Sequence, residues 1–161
     1  MSKAKRISVL AMIVSAAMLL SFIESRLPSF TAVPGIKVGL ANIAVTFALY
    51  KLGVKEAAIV SSVRVCLMAL LFGSLVSMIY GLSGALLSLV IMSVLKGSRR
   101  LSPVGVSVAG GVAHNIGQIS AACILLRTSA IAYYLPVLIL TGTLAGVATG
   151  IAAGILIKRL K

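Results

Sequence analysis

Apolar residues fill this chain in six long runs, separated by short clusters of charged or turn-forming residues. The runs cover roughly 7–23, 37–50, 56–72, 75–95, 102–127 and 131–157. A helix of about 20 apolar residues crosses a bilayer, with about 17 as the lower bound, so every run but the second is long enough. The second holds roughly 14 residues, which at 1.5 Å each reach about 21 Å against a hydrocarbon core of about 30 Å. It spans if Lys37 and Lys51 snorkel or, the favoured expectation, if the preceding loop dips into the membrane. Pro28, Pro34 and Gly35 mark that loop, and Gly53 closes the run. The first run follows Lys3, Lys5 and Arg6 and has the charged start of a signal peptide. No small-x-small site follows the run before Glu24, Ser25 and Arg26, so it is read as a membrane helix. The pattern predicts an all-α integral membrane bundle of six transmembrane helices, one transmembrane domain over residues 1–161.

The polar positions inside the runs carry the functional information. Gly110-Gly-Val-Ala-His-Asn-Ile-Gly-Gln118 is the most polar stretch within an apolar segment. At helical spacing Gly111, His114 and Gln118 share a face, with Asn115 one position round. Polar groups at membrane depth face protein or a water-filled cavity, so this face is expected to point inward. The fifth run exceeds the bilayer, which predicts tilt or a break at Gly110-Gly111. Arg64 lies at the centre of the third run, where a guanidinium facing lipid costs about 2.5–3.5 kcal/mol. It must therefore face a partner such as Glu24, backbone carbonyls, or an anionic ligand group. Asn42 and Lys37 bring an amide and a cation to one mouth of the second helix. Lys37, Asn42, Arg64, His114, Asn115 and Gln118 are the candidate solute-binding residues.

Composition supports the membrane assignment and removes other classes. The chain is 60% hydrophobic, 11% charged, with a mean hydropathy of +1.18, which a soluble domain cannot sustain. A formal charge of +13 would suggest nucleic acid in a soluble protein, but here the bases cluster between apolar runs, as in membrane topology, and nucleic-acid binding is not expected. With six spans, Lys3, Lys5, Arg6, Lys51, Lys55, Lys96, Arg99, Arg100, Lys158, Arg159 and Lys161 fall on one side and Arg26, Lys37 and Arg127 on the other. That bias places both termini in the cytoplasm of a multi-pass plasma-membrane protein. Cys66 and Cys123 stand alone within apolar runs, without metal-ligand spacing.

Small residues mark packing surfaces. Gly142, Gly146, Gly150 and Gly154 recur at four-residue spacing in the sixth run, a stripe for close helix contact, either internal or with another chain. In the first run Ala11 and Ser15, then Ala17 and Ser21, repeat the spacing, for internal packing or for docking a partner helix.

No phosphate-binding loop, no zinc-protease motif, no serine-histidine-acid set and no carboxylate pair is present. No catalytic residue, metal site or cofactor is expected, and binding is the activity that remains. The run from Ala11 to Glu24 with its proline loop, Pro34-Gly-Ile-Lys-Val-Gly-Leu-Ala-Asn42, Ser83-Gly-Ala-Leu-Leu-Ser88 and Gly110 to Gln118 together resemble the bacterial Gx transporter family. That family is also known as heptaprenyl diphosphate synthase component I and is similar to the S components of energy-coupling factor transporters. The resemblance covers essentially the whole chain. It implies a six-helix receptor that captures a vitamin-like solute outside and associates with a transmembrane coupling protein driven by two ATPases. It also implies partner contact through an Ala-x-x-x-Ala pattern on helix 1, where this chain has Ala11 and Ser15. The synthase name raises a second possibility, a non-catalytic membrane partner or precursor carrier in isoprenoid or quinone metabolism. The chain has no aspartate, which prenyl diphosphate chemistry needs to hold magnesium, so it is not itself that catalyst. A self-contained facilitator assembled through the glycine stripe is a third.

Overall fold

The structure, a computed structural model, describes residues 3–26 and 39–160. Among these the elements are α1 (Lys3–Arg26), α2 (Asn42–Lys51), α3 (Val54–Phe72), α4 (Leu75–Ser98), α5 (Pro103–Leu126), a short 3-10 turn (Ala130–Tyr134) and α6 (Leu135–Arg159). The local chemistry explains the boundaries. Ser74 and Ser77 form a reciprocal capping box that starts α4. Ser102 caps α5 with Pro103 in its first turn. Arg99 and Arg127 adopt left-handed backbone at the ends of α4 and α5.

Among the described residues four helical segments, not six, are long and apolar enough to cross a membrane: α1, α4, α5 and the continuous Ala130–Arg159. Two expected spans are corrected. The second helix begins at Asn42 rather than Lys37, and its ten residues extend only about 15 Å. Gly39 has φ 72°, outside helical space, and the chain turns there before α2 begins. The loop around Pro28, Pro34, Gly35 and Lys37 lies outside the described residues. The third helix has the length, but it carries Lys55, Glu56 and Arg64. Of the two alternatives at Gly110-Gly111, tilt or a break, the break does not occur: α5 runs unbroken from Pro103 to Leu126.

The helices alternate in direction. The starts of α1 and α3 meet where Arg6 pairs with Glu56, and the ends of α2 and α4 meet where Lys96 Nζ donates to Leu49 O at 2.5 Å. The far end of the bundle holds the Phe22–Phe72 ring contact, with centroids 5.2 Å apart. Around the bundle α1 packs on α3, α3 on α4, α4 on α5, α5 on α6, and α6 on α2, which also contacts α1 and α3. The short α2 is thus enclosed, with Ala44, Val45, Thr46, Ala48 and Leu49 buried. Ala44, Val45, Ala48 and Leu49 join Val60, Met92 and Val106 in the apolar core.

α5 is held closely on two sides because glycines face each other across both contacts. A Cβ at Gly117 would lie 2.8 Å from Ser83 O and 2.9 Å from Gly84 Cα on α4. On the α6 side, a Cβ at Gly146 would lie 2.5 Å from Val108 Cα, and one at Gly150 2.8 Å from Val104 Cα. Gly142 abuts the backbone of Gly111, whereas Gly154 has nothing within 4 Å. A buried Ser107–Thr149 hydrogen bond of 3.1 Å completes the α5–α6 seam.

Candidate functional site

Two adjoining cavities, of about 90 and 280 Å³, occupy the half of the bundle away from the termini. Glu24, Arg64, His114 and Gln118 line both and form their common wall. The smaller lies among α2, α5 and α6, with Asn42, Asn115 and Thr149 on its walls. The larger lies among α1, α3, α4 and α5, with Ser21, Met68, Ala69 and Phe72. Ligand pockets commonly measure about 300–1,000 Å³, so the larger is near the lower edge of that range.

Arg64 is the fixed charge between them. Its Nη1 donates to Ser21 Oγ at 3.2 Å, and its buried Nε has no hydrogen-bond partner among the described residues. A guanidinium carries five N–H donors in a planar fork, so most of its capacity is uncommitted. Glu24 attracts that charge, but its two carboxylate oxygens accept hydrogen bonds from the backbone N–H groups of Gly39 and Leu40, the latter at 3.2 Å. Those amides open the turn into α2, whose N-cap, Ala41, supplies no side-chain cap. Glu24 therefore provides from α1 the negative charge that a helix N-terminus favours. At the other end of α2, Lys96 meets Leu49 O and lies over the Tyr50 ring at 5.3 Å.

Of the residues singled out in the sequence, Asn42, Arg64, His114, Asn115 and Gln118 all reach cavity walls. Asn115 is committed structurally: its Nδ2 donates to Leu138 O at 2.6 Å, tying α5 to α6. His114 and Gln118 fit against α4 because Gly84 has no side chain; a Cβ there would lie 2.8 Å from Gln118 Cγ and 3.0 Å from His114 Cε1. Lys37 lies outside the described residues. Gly142 and Gly146 form part of the smaller cavity's floor as well as the α5 contact. Ala11 and Ser15 are exposed on the outer face of α1, while Ala17 is fully buried and Ser21 meets Arg64. The two small-residue pairs of α1 thus face opposite ways.

Sequence reasoning missed Glu24, Ser21 and Thr149 as cavity residues. Glu24 is one of the chain's two acids and stands three positions from Ser21, on the same helix face. That pairing was the available signal. Among the described residues no group of three or more His, Cys, Asp or Glu is placed to hold a metal.

The family model for heptaprenyl diphosphate synthase component I matches residues 13–156, nearly the whole chain. No curated protein and no solved structure matches it in the corresponding comparisons.

Proposed function

The chain belongs to the heptaprenyl diphosphate synthase component I family, and from that premise we propose that it is the solute-binding membrane subunit of an energy-coupling factor type importer. Its solute is small, anionic or zwitterionic, and vitamin-like, captured from outside the plasma membrane. The observation that carries this reading is Arg64, a permanently charged fork on an interior cavity with one hydrogen bond among the described residues. Such a group suits a carboxylate or phosphate, which can accept two parallel N–H bonds. Asn42, His114 and Gln118 supply directional hydrogen bonds, Asn115 holds the α5–α6 wall, and Lys37 screens charge at the mouth. The basic ends of the helices lie with the termini, so both termini are cytoplasmic and the cavities occupy the outer half.

Nothing in the chain couples binding to ATP, so a transmembrane coupling protein with two ATPase subunits supplies the energy. The exposed small residues Ala11 and Ser15 provide a surface on which another helix packs closely. The test is mass spectrometry of small molecules and proteins co-purifying with the tagged chain from its native membrane. A polar anion and a coupling protein with its ATPases are expected. A bound lipid and nothing else would count against the receptor.

A second reading draws on the family description: a non-catalytic membrane partner, or precursor carrier, for a prenyl diphosphate synthase. Without aspartate this chain cannot hold the magnesium such chemistry uses, so the catalytic step would belong wholly to the partner. Co-purification of a soluble synthase, in place of the ATPases, would favour it.

A further inference from the structure

We infer that the larger cavity receives the apolar body of an amphiphilic anion whose charged head lies on Arg64. This rests on the solute-binding reading and names the class of solute. The head site is Arg64, whose nearest acid, Glu24, is engaged by the Gly39 and Leu40 amides and so leaves the guanidinium fork open to an incoming anion.

The body site follows from helix geometry. Val65, Met68, Ala69 and Phe72 all line the same cavity as Arg64. They lie one, four, five and eight positions beyond it, so they form a single apolar strip roughly 10 Å long. Gly81 of α4 closes directly onto Val65, since a Cβ there would lie 2.8 Å from Val65 Cγ1, and the Phe22–Phe72 ring contact stands at the strip's far end. Met68 adapts to irregular apolar shapes. Ser25 and Ser77 also line this cavity, but their hydroxyls donate to the backbone carbonyls of Phe22 and Ser74, so a charge at one end with an apolar strip leading away describes an amphiphile better than a uniformly polar solute.

Volume restricts the size. A cavity of about 280 Å³ holds roughly nine water-sized groups at about 30 Å³ each. That admits a short chain or a single ring system and is too small for the two acyl chains of a bilayer lipid. The solute is therefore a compact, water-soluble amphiphile with a carboxylate or phosphate head.

The test uses the full chain in nanodiscs of zwitterionic phospholipid, titrated with straight-chain monocarboxylates from acetate to dodecanoate and with the matching primary alcohols. Affinity is expected to rise up to about fourfold per added methylene and to level off near octanoate, with each alcohol at least about tenfold weaker than its acid. Ala69→Phe, which fills the strip, should bring the plateau to shorter acids. Met68→Trp provides the same comparison should Ala69→Phe fail to fold. Chain-length independence overturns the inference, as does affinity that climbs through dodecanoate alike in wild type and variant, which is the behaviour of bilayer partitioning. If short acids still bind in either case, the receptor reading stands. If neither the acids nor inorganic phosphate binds above empty nanodiscs, the receptor reading fails and this inference with it.

Discussion

The two halves of the bundle are built from the same helices and differ in what fills them. Near the termini, Leu49, Val60, Met92 and Val106 are fully buried and pack into an apolar core around α2. Away from the termini, the space beyond the N-terminal end of α2 is lined by Glu24, Arg64, His114 and Gln118. Ten residues of α2 reach about half the thickness of a bilayer. The shortness of one helix thus divides the molecule into a packed half and a half with room for a ligand. Stability and binding should accordingly separate along the bundle axis.

That separation can be broken most forcefully from the packed side. Leu49→Ala removes a fully buried side chain and is expected to cost about 2–5 kcal/mol of stability, with solute affinity of the folded fraction unchanged. Thermal unfolding and binding measured on one preparation would decide it, and a parallel loss of affinity would mean that the halves are not independent. From the polar side, Arg64→Lys keeps the charge but loses the planar fork. Affinity for the anionic solute should fall by about 1.5–3 kcal/mol, with the melting temperature little altered.

Between the halves, Gly146→Ala forces a Cβ to within 2.5 Å of the Val108 backbone and should destabilise by about 1–3 kcal/mol. Gly154→Ala, with open space around it, should be neutral or slightly stabilising. Equal effects at the two positions would show that the α5–α6 seam does not set the glycine requirement. The smallest expected loss of affinity is at Gln118→Leu, which should weaken binding by about 0.5–1.5 kcal/mol and leave stability intact. A stability loss without a binding change would identify Gln118 as a packing residue.

Much of this arrangement was legible in the sequence. The strong apolar runs placed α3 to α6 to within a few residues, because long segments bounded by Ser, Gly, Pro and paired bases leave little ambiguity. Arg64 and the His114 face declared themselves through the expense of polarity among apolar neighbours. The number of spans did not, since an enclosed ten-residue helix has the same apolar composition as part of a membrane-crossing one. Gly39 gave no sign that helix would begin only after it. Glu24 was weighed as a partner for Arg64, but its hydrogen bonds to Gly39 and Leu40 depend on how α1 crosses α2, and residue spacing within one helix carries no information on that. The opposite facing of the two small-residue pairs of α1 likewise needed the structure.

The clasping of α2 at both ends bears on how the chain is made. A ten-residue segment is too short to enter a bilayer as a spanning unit, and its terminal N–H and C=O groups have no water to meet inside it. Glu24 precedes α2 and is available as the segment emerges, but Lys96, which reaches Leu49 O, is translated only at the end of α4. The helix at the heart of the packed half therefore gains its second clasp only once the whole of α4 has been made.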